Sequence, residues 1–211
     1  MRTKLTLCAS TQVVVLASLM LVVGCSSPAP EPTLYLLRGE ATEASGSVDG
    51  PTRVGFGRLV VAPYLLASQG IVVEAAPGEV RAARQHRWAE PLDAGLRWFL
   101  RAEIAKTLGD EVGAGLLDRQ DWDYTIDVYV ARFHGTMSGS ALLEATYIIR
   151  PTADTEAPRE YAFSKSEPQP DEGYAALVAT ERSLAGALGV SIADSLRELM
   201  AERESAETDA P

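Results

Sequence analysis

Apolar and polar residues alternate over residues 124–130, with Tyr124, Ile126, Val128 and Val130 set against Thr125, Asp127 and Tyr129. A period of two belongs to a strand with one buried face. Residues 141–150 (ALLEATYIIR) read as its antiparallel partner, joined through the flexible stretch HGTMSGS, and residues 160–166 as a third member. Shorter strands are predicted at residues 33–37 (TLYLL), 53–62 (RVGFGRLVVA), 70–74 (GIVVE) and 79–84. Pro63 ends the second of these, because it has no amide hydrogen to continue a ladder. Two stretches carry the helical period instead. Leu92, Leu96, Phe99, Leu100, Ile104 and Leu108 fall on one face of a helix that opens at residues 88–91 (WAEP) and that Gly109 can close. Pro91 suits its first turn. Tyr174, Leu177, Val178, Leu184, Leu188, Ile192, Leu196 and Leu199 make the stripe of a long helix over about residues 171–203. The predicted fold is α/β: a two-layer sandwich in which a mixed, mostly antiparallel sheet packs with two amphipathic helices.

The N-terminus has a pattern of its own. Arg2 and Lys4 precede an apolar stretch whose dense part is residues 13–23 (VVVLASLMLVV), and Gly24 and Cys25 follow. A basic start, a short apolar segment and a small residue at the cut mark a secretory signal peptide. A retained membrane span is the weaker reading. Spanning takes about 20 apolar residues, and Ser10, Thr11 and Gln12 interrupt the stretch. Residues 21–25 (LVVGC) resemble a lipobox, in which the invariant cysteine is lipidated and becomes the mature N-terminus. Cleavage falls between Gly24 and Cys25, and the Cys25 thiol is the nucleophile that takes up the diacylglyceryl group. The other cysteine, Cys8, lies in the part removed, so the mature chain has no pair for a disulfide. Ser26 stands where an aspartate would retain the protein in the inner membrane, which favours the outer one.

Removing residues 1–24 leaves 187 residues, enough for one domain with a real core. The organisation expected is a signal peptide (1–24), a lipidated cysteine with a Pro-rich tether (25–33), a single domain (34–204) and a disordered acidic tail (205–211). The tether, extended at roughly 3.3 Å per residue, reaches on the order of 25 Å. Residues 39–52 are polar and Gly-rich and read as a loop. The whole chain carries 19 basic and 29 acidic residues, a net charge of −10, and −12 once Arg2 and Lys4 are gone. That balance argues against a nucleic-acid partner.

Chemistry is sparse. His86 and His134 are the only histidines, and neither has ligand spacing, so no metal or other cofactor is expected. His134 reads as a surface residue in a turn. Gly55-Phe56-Gly57 is too short for a phosphate-binding loop and lies within a strand. Asp121 and Asp123 flank Trp122 at a strand start, a turn rather than an acid/base pair. Arg81, Arg84 and Arg87 read as solvent-facing. No nucleophile elbow is present, so the chain reads as a binding or structural component and not an enzyme.

The body of the chain resembles the auxiliary lipoproteins of ABC-type intermembrane transport systems, the PqiC-like family. The resemblance rests on Tyr35-Leu36-Leu37, then Leu59-Val60-Val61-Ala62-Pro63-Tyr64-Leu65 with Ile71-Val72-Val73. It continues through Arg87-Trp88-Ala89-Glu90-Pro91-Leu92, Asp127-Val128-Tyr129-Val130-Ala131-Arg132-Phe133 and Tyr174-Ala175-Ala176-Leu177-Val178, in that order. Two departures touch surface contacts: His134 stands where the family usually has aspartate, and Glu74 where it often has arginine. The resemblance implies an outer-membrane lipoprotein facing the periplasm. Its partner would be an MCE-domain protein of an inner-membrane ABC system that moves lipids, and ring-like homo-oligomers would fit such docking. Pro63, Tyr64 and Leu65, in a loop leaving a strand, are candidate contacts. So are Trp88 and Glu90, although for Trp88 a structural role, stapling the helix entry onto Leu92, is favoured over a direct contact. The alternative is a lipoprotein that itself binds a hydrophobic ligand, in a cavity lined by residues such as Phe99, Val128 and Leu184. A hydrolytic lipoprotein is a third reading, disfavoured by the missing nucleophile motif.

Overall fold

The computed structural model describes residues 30–37, 52–108, 112–114, 122–152 and 157–208. Gly24, Cys25, the signal peptide, most of the tether and the loop, Gly109 and Asp121 lie outside the described residues. The strands are β1 (Thr33–Tyr35), β2 (Thr52–Val61), β3 (Gly70–Ala76), β4 (Glu79–Trp88), β5 (Val112–Ala114), β6 (Tyr124–Thr136), β7 (Ser140–Pro151) and β8 (Arg159–Pro168). The helices are α1 (Pro63–Leu66), α2 (Leu92–Leu108) and α3 (Tyr174–Thr208).

All eight strands form one mixed sheet. Its long pairings are antiparallel, β6 with β7 from Tyr124↔Pro151 to Gly135↔Ala141, and β7 with β8 beyond it. On its other edge β6 takes two parallel neighbours end to end. β2 runs beside Tyr124–Val130, and β3 resumes beside Gly135 and Thr136. Between them the one-turn helix α1 swings out of the sheet. The cause is local: the Ala62 amide makes a ladder bond to the Val130 carbonyl at 2.9 Å, and Pro63 has no hydrogen for another. At the same level the β6–β7 register slips between Val130 and Arg132. Gly78 and Gly139 take φ of 79° in the β3–β4 and β6–β7 turns, where a side chain would be strained.

The predicted stripes form the core. Tyr124, Ile126, Val128, Val130 and Phe133 of β6 and Leu143, Tyr147 and Ile149 of β7 face the helices and are buried. Leu96, Leu100 and Ile104 of α2, and Leu184, Leu188, Ile192 and Leu196 of α3, meet them. The Tyr147 hydroxyl lies 2.8 Å from Ser195 Oγ and 3.1 Å from Ser191 Oγ, so its burial is compensated by α3. By length and composition α3 could cross a bilayer, yet its apolar stripe is packed inside the domain.

Three expectations change. β4 runs on to Trp88, so Arg87 and Trp88 end a strand instead of opening a helix. Their pairing with β1 in parallel register is a long-range contact that no local period reveals. Helix α2 begins at Leu92, with the Gly95 amide bonded to the Pro91 carbonyl at 3.0 Å. Helix α3 continues to Thr208, past residue 204 where the tail was set. Its last turns hold Ala201, Glu202 and Arg203, all good helix formers, and the Thr208 hydroxyl donates to the Glu204 carbonyl at 2.9 Å.

Candidate functional site

Helices α2 and α3 cover one face of the sheet. The opposite face of β2, β6 and β7 carries the side chains that alternation turns away from the core, and α1 stands at its edge. The turn divides its residues sharply. Pro63 and Leu66 are exposed, Tyr64 is half-buried, and Leu65 is 1% exposed in the core. Tyr64 lies over the face: its hydroxyl donates to the Ala131 carbonyl at 3.4 Å, and its ring meets His134 edge-on at 6.1 Å. Burial pushes the Tyr64 hydroxyl above its ordinary value, with Arg132 opposing and Glu74 adding to the effect.

His134 is therefore not the surface residue expected. It points to the same side of β6 as Arg132 but is 1% exposed, with Nδ1 2.9 Å from the Gly135 carbonyl. Beside it, Arg132 reaches Glu144 at 3.4 Å and Glu74 at 3.5 Å, a loose cluster on the rim of α1. Further along β6, Asp127 accepts the Arg58 amide at 2.7 Å and Arg150 Nε at 3.0 Å. The β2 ladder slips between Phe56 and Leu59, and the Asp127 carboxylate takes up the amide this releases. Burial raises the Asp127 pKa, but the bonds from Arg58 and Arg150 outweigh it and hold the carboxyl below its usual value.

Between these charged groups the face is apolar. Val60 and Tyr129 are register partners in adjacent strands and are 41% and 45% exposed, and Leu66 nearby in sequence is 43% exposed. Adjacent exposed apolar groups rimmed by charge are the anatomy of a protein contact. Among the described residues no group of three His, Cys, Asp or Glu could hold a metal.

The remaining candidate contacts separate by burial. Trp88 is 4% exposed and stacks on Phe133 at 6.3 Å, inside the core that also holds Leu92, so its side chain serves the packing. Leu65 and Trp88 thus lie beneath any contact surface and hold exposed neighbours in place. Glu90 is half-buried, beside Gly95 of α2. Val128 and Leu184, which would have to line a cavity in the ligand-binding alternative, are buried in the core, and Phe99 packs against it. A groove of about 380 Å³ opens elsewhere, between the β3–β4 hairpin and the start of α3, lined by Val73, Ala75, Met137, Tyr174 and Leu177 with Arg81 at its side. At the same end of α3, Tyr174 stacks on His86 at 4.2 Å, and His86 Nδ1 lies 3.1 Å from the Tyr35 hydroxyl. Sequence reading missed Val60 and Tyr129 as a pair, because their adjacency depends on the parallel β2–β6 register.

Comparison with known proteins agrees with this architecture. A solved structure of an uncharacterised protein superposes with a TM-score of 0.67 at 21% identity, covering 79% of this chain and 99% of that one. Protein XCC0632 from Xanthomonas campestris, of the DUF330 family, superposes with a TM-score of 0.56 at 17% identity, covering 84% of this chain and 98% of that one. At those identities the likeness shows the fold. No curated protein matches. The model of the ABC-type transport auxiliary lipoprotein component matches residues 35–193. The chain belongs to the family of ABC-type transport auxiliary lipoproteins.

Proposed function

We propose that this lipoprotein, anchored through Cys25 in the outer membrane and facing the periplasm, docks the periplasmic end of an MCE assembly belonging to an inner-membrane ABC lipid transport system. The observation that carries the reading is the open sheet face, where Val60, Tyr129 and Leu66 are exposed beside a turn rigidly set by Pro63 and Leu65. A family member whose auxiliary role is to meet a transport partner needs such a surface. A homo-oligomer would present several copies of the face to one partner. The test is co-purification of the full chain from envelopes, together with envelope integrity after deletion of its gene. Recovery of an MCE-domain protein and a weakened envelope are expected. If neither is seen, the docking reading is wrong.

A second reading has its own observation. The groove beside Tyr174 lies within the size range of small-ligand sites, about 300–1,000 Å³, and its wall is mainly apolar. A lipoprotein that binds a hydrophobic ligand itself would use this groove and not the sheet–helix interior. Native mass spectrometry of protein from envelopes should then detect a bound lipid, and apo protein alone would count against it.

A further inference from the structure

The edge of the sheet at β1 and β4 has a composition unlike the rest of this acidic chain. Leu34 and Leu36 are 59% and 50% exposed, whereas Leu37 beside them is buried and Tyr35 half-buried. The alternation turns two leucines outward at the point where the chain enters the domain. Leu34 is the register partner of Arg87 on β4. Arg87 Nε donates to the Arg84 carbonyl at 2.9 Å, and both guanidiniums are exposed with no acidic partner among the described residues. Two apolar side chains and two unneutralised arginines therefore share one edge, in a chain of net charge −10.

We propose that this edge lies against the membrane that holds the anchor, with Leu34 and Leu36 entering the headgroup layer and Arg84 and Arg87 engaging anionic lipid headgroups. The proposal rests on lipidation of Cys25. Only residues 26–32 separate that cysteine from β1, a contour on the order of 22 Å if extended as a polyproline helix at about 3.1 Å per residue. So short a tether keeps β1 close to the lipid surface, where leucine gains from burial and arginine can direct its charge to phosphates. The two arginines supply the local attraction that the chain's overall charge opposes. With this edge on the membrane, the apolar face at Tyr129 is left for a protein partner.

The lipidated full chain offers a clean probe. Its two native cysteines are Cys8, in the signal segment, and Cys25. Leu36→Cys or Tyr129→Cys therefore adds a single thiol for an environment-sensitive fluorophore. The labelled proteins are reconstituted in vesicles of phosphatidylethanolamine and phosphatidylglycerol containing spin-labelled lipid. The label at 36 should be quenched several-fold more than the label at 129, and Arg84→Glu with Arg87→Glu should remove most of the difference. Equal quenching at the two positions overturns the proposal. A label at 36 that is shielded yet unquenched also overturns it and points to a second copy of the chain on this edge. Loss of co-flotation with the vesicles defeats the anchor itself, whereas flotation with a wet, unquenched label defeats only the membrane-facing edge.

Discussion

Glu181 sits in the middle of the apolar stripe of α3, one turn after Leu177 and one before Leu184. It is 1% exposed, and its Oε2 finds no hydrogen-bond partner among the described residues. Burial pushes its carboxyl well above the ordinary range. In the unfolded chain the same group ionises near the ordinary glutamate value, so folding takes up protons at pH values between the unfolded and folded pKa. The sign follows: a carboxyl raised in the fold contributes fully below its unfolded pKa and costs progressively more as pH rises toward its folded pKa. Each unit of that gap costs about 1.4 kcal/mol. The unsatisfied buried oxygen costs about 1–3 kcal/mol besides. Glu181→Gln removes the proton uptake and keeps the shape. Glu181→Leu removes the polar atoms as well. Both should raise Tm at pH 7, by about 2–4 °C for each kcal/mol gained in a chain of this size, and leucine should gain more. The assay is thermal unfolding followed by circular dichroism at pH 5 and pH 7.5. The stabilisation should shrink at pH 5, where less proton uptake is charged to the wild type. A glutamine variant less stable than wild type at pH 7.5, with an unchanged pH dependence, would refute the reasoning and mean that Glu181 is ionised and paired.

Further expectations bear on fold and anchor. Gly135→Ala should destabilise by about 1–3 kcal/mol, because an added Cβ would lie 2.7 Å from Leu177 Cδ2, and denaturant unfolding reads the loss. Asp127→Asn should lower Tm at pH 7. Its carboxyl pKa is lowered in the fold, so its contribution is present above the unfolded value and disappears as pH falls through the folded one; parallel pH scans of both proteins check this. Cys25→Ala should abolish palmitate incorporation, and unchanged labelling would disprove the lipobox.

Much of this fold is legible in the sequence because its central elements bury one face each. The alternation at Tyr124–Val130 and the stripes of α2 and α3 state which side faces the core, and the structure places those residues there. What the pattern does not state is who lies beside whom. The parallel pairing of β2 with β6 joins residues some 70 positions apart and follows from a crossover, not from local period. β4 is exposed on most of its length, so its residues show no clear alternation and its extension to Trp88 escapes a local reading. Burial of Leu65 and Trp88 was hidden for a related reason: a one-turn helix and a strand end have too few residues to show a period. Glu181 was open to view as a charged residue amid Leu177, Val178 and Leu184, a break in the stripe that marks it as unusual. His134 gave no such sign, since the contact with Tyr64, 70 residues away in the chain, depends on the fold.

Site-specific photocrosslinking in the native envelope tests whether the open sheet face receives a transport partner. A photoreactive residue replaces Tyr129 on that face, and in a second protein Trp98 on the outer side of α2, also exposed. A docking face at Tyr129 gives a crosslink from position 129 to an MCE-domain protein and none from position 98. A crosslink from 98 alone, or none to such a protein from 129 in an actively transporting envelope, would contradict it.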